Sequence, residues 1–71
     1  LMRWTLLVPR EAFESIHREL ESMRRYDPPQ WDPIEGKFVK ESKDLPIVIE
    51  IHGYSGKLVI GVGPLRLETE K

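Results

Sequence analysis

Two hydrophobic spacings follow one another along the chain, separated by proline-rich breaks. From Pro46 to Val62 the spacing is two: Ile47, Ile49 and Ile51 are interleaved with Val48, Glu50 and His52. That is the pattern of a strand with one buried face, and the β-branched residues suit a pleated surface. Gly53 and Gly56 flank Tyr54-Ser55, which lets the chain reverse there into a hairpin. A turn centred on Tyr54-Ser55 sets Ile51 opposite Leu58, Ile49 opposite Ile60 and Ile47 opposite Val62. Every apolar residue then meets another on one face, so the turn and the pattern predict one register. The reverse face carries Val48 near Gly61, Glu50 near Val59 and His52 near Lys57.

Met2 to Val8 also alternates, with Met2, Trp4, Leu6 and Val8 against Arg3, Thr5 and Leu7, and is read as a first strand. The spacing then changes to three and four. Phe13, Ile16, Leu20 and Met23 form one apolar stripe of a helix from Pro9 to about Arg25. Proline suits its start, and Glu11 and Glu14 early with Arg24 and Arg25 late complement the helix dipole. Glu14–Arg18 and Glu21–Arg25 are spaced to pair along it. Tyr26 to Glu35 holds three prolines and cannot continue the helix; it is read as a crossover loop. Gly36 to Glu41 carries Phe38 as a short strand, Ser42 to Asp44 turns into the main hairpin, and Leu65 and Leu67 mark a possible further strand after Gly63-Pro64.

The expected fold is α+β, in the order β-α-β-β-β with a possible fifth strand. A single helix packs on one face of an antiparallel sheet. Phe13, Ile16, Leu20 and Met23 are expected to lie on Trp4, Leu6, Phe38, Ile49, Ile51, Leu58 and Ile60. Residues 1–71 make a single small domain. A core of this size rarely yields more than ~3–5 kcal/mol of net stability, so association with a partner is an economical supplement.

Composition narrows the chemistry. Eleven Lys and Arg stand against twelve Asp and Glu, a net charge of −1, which disfavours holding nucleic acid or an anionic membrane by bulk charge. The absence of cysteine removes disulfides and thiolate metal sites. No apolar run approaches the ~20 residues that span a bilayer, and none resembles a secretion signal, so the expected location is cytoplasmic. The chain has no asparagine and one glutamine, a thermophile-like composition.

Candidate catalytic groups are few. His17 borders the helix stripe, whereas His52 and Glu50 belong to the sheet face turned away from the isoleucines. The two histidines therefore fall on opposite sides of the sheet, where they cannot share a metal or act as an acid–base pair. The serines lack an adjacent base. Asp27, Asp32 and Glu35 match no calcium loop, and Gly61-Val62-Gly63-Pro64 lacks the helix and the Gly-Lys-Ser/Thr of a phosphate loop. No catalytic residue, cofactor or metal is assigned.

Nothing in the sequence supports an enzyme, and two other function classes carry more weight. The first is a non-catalytic protein-interaction module, self-associating as a homodimer or docking on a protein partner through Leu7, Val48, Val59 and Trp31. The alternative is a small RNA or single-stranded DNA binder using Arg24, Arg25, Tyr26, Trp31, Lys37 and Lys40, in which aromatics stack on bases between cations.

Overall fold

A computed structural model of the chain describes residues 2–23 and 25–70. Pro9 ends β1 (Trp4–Val8) and occupies the N-cap of α1 (Arg10–Ser22), where its missing N–H is not needed and its carbonyl accepts from Phe13 N–H at 3.0 Å. The helix is shorter at its C-terminus than the stripe suggests. No basic residue stands in its last turn, and Arg24 lies outside the described residues.

Five strands follow the helix: β2 (Gln30–Asp32), β3 (Lys37–Glu41), β4 (Ile47–His52), β5 (Leu58–Val62) and β6 (Leu65–Thr69). They form an antiparallel meander, and β6 closes the sheet by pairing parallel to β1, giving the order β1-β6-β5-β4-β3-β2. The fold is thus a small α+β unit with one helix, but its six-stranded sheet is mixed rather than wholly antiparallel. One strand, β2, is added to the expected order and its possible fifth strand. The possible last strand is present as β6, paired along its whole length with β1 and over Leu65, Arg66, Leu67 and Glu68 with β5. The proline loop contains a short strand because Asp32 starts a tight reversal: its carboxylate accepts the N–H groups of Ile34 and Glu35 at 3.0 and 3.1 Å, and Gly36 takes a φ of 68°.

The main hairpin pairs Ile51 with Leu58, Ile49 with Ile60 and Ile47 with Val62, the register its pattern dictates. The two glycines of its loop differ, since only Gly56 has a positive φ, 70°.

β1 and β2 are opposite edges, so the helix must carry the chain across the whole sheet. It starts beside β1 and ends against β3, where Lys40 reaches Glu21 at 2.7 Å. Thirteen residues make a helix of about 20 Å, and six strands span roughly 24 Å, so an oblique helix cannot cover the corners. Phe13 of the helix is buried with Ile49 and Ile60 of the sheet, and Val8, Leu20, Tyr26, Ile47, Ile51, Leu58 and Leu67 pack around them. Trp4, Leu6, Phe38, Ile16 and Met23, expected in the core, remain exposed.

Candidate functional site

The strand β1 is an edge, and among the described residues none pairs along its outer side. Trp4 N–H donates to the Pro64 carbonyl at 2.8 Å, and the Val8 carbonyl accepts from Glu70 N–H at 3.0 Å. The backbone polar groups of Trp4, Leu6 and Val8 therefore turn inward to β6. Since these directions alternate along a strand, the N–H and C=O groups of Arg3, Thr5 and Leu7 point outward. Hydrophobic side chains line both faces of the same edge. In-register pairing with Leu65 and Leu67 puts Trp4 and Leu6 on the helix face, while Leu7, paired with Glu68, lies on the open face. Trp4 is 59% exposed, Leu6 51% and Leu7 65%.

The other edge is built differently. β2 has three residues, and Pro28, Pro29 and Pro33 flank it. Proline and short length are the usual ways of blunting an edge against further pairing. Trp31 on β2 packs across the turn on Phe38, ring centroids 4.8 Å apart.

The open face is covered by charge. Glu50 Oε1 lies 3.1 Å from Lys37 Nζ, 2.9 Å from His52 Nε2 and 3.5 Å from an Arg66 guanidinium nitrogen. Arg66 also bonds Glu68 at 2.9 Å, and Lys57 reaches Glu68 at 3.0 Å. Burial by itself would raise the Glu50 carboxyl, but hydrogen bonds from His52 and Lys37 and the nearby Arg66 charge hold it below the ordinary carboxylate range. The Lys57 and Arg66 hydrogen bonds lower Glu68 in the same direction. Val59 pairs with Glu50 on one side and Glu68 on the other. Their charged arms seal it, leaving Val59 1% exposed.

That arrangement redistributes the residues singled out from sequence. Val59 is not a surface residue, because the ion pairs close over it. Val48 is half-buried, and Leu7 and Trp31 stand on opposite edges of the sheet, so the four do not form one contact surface. Leu7 alone belongs to the free β1 edge. Alternation alone assigns Trp4 and Leu6 to the core. A 13-residue helix cannot cover the corners of a six-stranded sheet, and with β2 unread in the sequence no signal there places the two outside.

The basic–aromatic group is also dispersed. Lys37 and Lys40 occupy opposite faces of β3, the first bonded to Glu50 and the second to Glu21. Arg25 faces Asp44 at 3.4 Å. Tyr26 packs at the core margin, where burial and the Glu21 charge raise its phenol. Glu21 is held low, first by the Lys40 hydrogen bond, with His17 adding to it at 3.2 Å. His17 is on the helix and His52 on the open face, as their positions in the pattern require.

Between the proline loop and β3 is an open hollow of about 380 Å³, lined by Asp27, Gln30, Trp31, Asp32, Val39 and Glu41. Among the described residues no group of three His, Cys, Asp or Glu side chains is placed to hold a metal ion. No helix among them is long and apolar enough to cross a membrane. Comparison with family models, with curated proteins and with solved structures gives no match to this chain.

Proposed function

We propose that this chain is a non-catalytic protein-interaction module whose contact surface is the outer edge of β1. One observation carries the reading: among the described residues a five-residue edge strand leaves its outward backbone groups, those of Thr5 and Leu7, unpaired and exposes Trp4, Leu6 and Leu7 around them. Such an edge is a template for strand addition, in which main-chain hydrogen bonds give affinity and flanking side chains give selectivity. The contrast with the proline-blunted β2 edge supports β1 as the side left open for use. The sealed open face supports it too, since docking there would first have to open ion pairs that already satisfy one another.

The test compares the full chain with its Leu7→Lys variant by sedimentation, each alone and added as a tracer to extract from its own cells. Leu7 is on the solvated face of an edge strand, so the substitution spares the core. The expected result is a species heavier than the 8.3 kDa chain that Leu7→Lys reduces or abolishes. Both proteins sedimenting as the bare chain under both conditions would overturn the reading.

A further inference from the structure

The β1 edge has a symmetry of its own. About Thr5, the outward-facing backbone of Arg3 and Leu7 lies two residues to either side, and the helix-face side chains of Trp4 and Leu6 lie one residue to either side. We propose that the partner is a second copy of this chain, with β1 laid antiparallel on β1 about a twofold axis through Thr5. This rests on the interaction reading above and gives its occupant.

In that register Thr5 faces Thr5 and Arg3 faces Leu7. All are residues whose N–H and C=O point outward, so each opposed pair exchanges both backbone bonds, about six in all. Moving the axis to Leu6 keeps only about four. Trp4 of one copy then faces Leu6 of the other, in the closely spaced pairs where cross-strand side chains touch. The exposed corner that the helix cannot reach becomes continuous across the seam. On the open face Leu7 lies along the methylenes of Arg3, and no like charges oppose one another.

Size and closure also fit. Met2, Trp4, Leu6 and Leu7 offer on the order of 500 Å² per copy, or ~1,000 Å² in total, at the threshold of a specific interface. Pairing uses up both β1 edges, and the joined sheet ends at two β2 edges already blunted by proline. An isologous contact of this kind closes as a dimer instead of growing into a fibre.

The chain has no cysteine, so a single introduced thiol reads the register. In a hydrogen-bonded antiparallel pair the Cα atoms are ~5.5 Å apart, within disulfide reach. Leu7 is displaced from its own mate by roughly 13 Å. With oxidised glutathione as electron acceptor, Thr5→Cys is expected to give a covalent dimer at least about tenfold faster than Leu7→Cys or the loop control Ser55→Cys.

By sedimentation at high micromolar concentration the unsubstituted chain should have twice the 8.3 kDa mass. Thr5→Pro, which removes an outward N–H without touching a bond to β6, should return it to the monomer. Should Thr5→Pro fail to fold by circular dichroism, the thiol series still decides, since it leaves the backbone intact. Leu7→Cys linking as fast as Thr5→Cys would overturn the register. A monomeric pure chain with uniformly slow linking would overturn self-pairing. The extract experiment would then separate the two ideas, because a heavier species there, lost in Leu7→Lys, retains the interaction reading with a different protein as partner.

Discussion

Replacing Glu50 by glutamine tests whether the open face is held shut by charge. The substitution keeps the shape of the side chain and removes the negative oxygen that Lys37, His52 and Arg66 share. Hydrogen bonds to charged groups contribute about 1.5–3 kcal/mol. The three do not add, because they converge on one atom, and the Arg66 arm is more than a third exposed, so it counts only at the ~0.5 kcal/mol scale of surface pairs. Glu50→Gln is therefore expected to lose about 2–3 kcal/mol at neutral pH. A domain of this size has ~3–5 kcal/mol in total, so the melting temperature should fall by on the order of 10–20 °C.

The pH dependence carries the sign. The folded Glu50 carboxyl lies below its ordinary value of 4.5, so near that pH the unfolded chain binds more protons than the native one. The stabilisation is complete above the ordinary value and is lost as pH falls through the lowered one. Thermal melts of both proteins followed by circular dichroism at descending pH should thus converge. Glu68 titrates in both and does not produce the convergence. A variant within ~0.5 kcal/mol of the parent at neutral pH, or a gap that stays constant on acidification, would mean that charge does not hold this face shut.

Three further outcomes follow from the packing. Ile49→Ala opens a cavity beneath Phe13 at a cost of about 2–5 kcal/mol, a large share of the total stability, so the urea midpoint should fall steeply; an unchanged midpoint would contradict the placement of the core. The buried Thr69 hydroxyl accepts the N–H of Leu58 at 3.2 Å, so Thr69→Val should cost about 1–3 kcal/mol in urea unfolding while Thr69→Ser restores most of it. With Lys37 and Lys40 on opposite faces and each bonded to a carboxylate, tryptophan fluorescence should show no quenching by mixed oligonucleotides at ~50 mM salt, and clear quenching would revive the nucleic-acid alternative.

The parts of this fold readable in the sequence are those with local causes. The isoleucine alternation and a glycine-bearing turn select one hairpin register, and a stripe at steps of three and four selects the helix. The parallel pairing of β1 with β6 joins the two ends of the chain, and nothing local to either strand announces it. Val59 shows the same limit. Its burial depends on Arg66 and Glu68, which reach it only once β6 lies beside β5, so from sequence it passes for a surface valine. β2 was hidden by its prolines, which flank the strand and do not interrupt it. Leu7 was legible as an exposed residue because it falls out of phase with Trp4 and Leu6. Those two were not, because alternation tells which face a side chain takes and not how far a helix extends over it.

The most direct measurement of the β1 edge as the contact surface is amide hydrogen exchange of the full chain as concentration is raised. In the isolated chain Trp4 donates to Pro64, so its amide should be protected at every concentration, while the outward amides of Arg3, Thr5 and Leu7 exchange freely. As the chain associates, those three should slow together and their neighbours should not change. Outward amides that exchange at one rate throughout, with protection growing instead along Gln30–Asp32 or over the open face, would contradict the account.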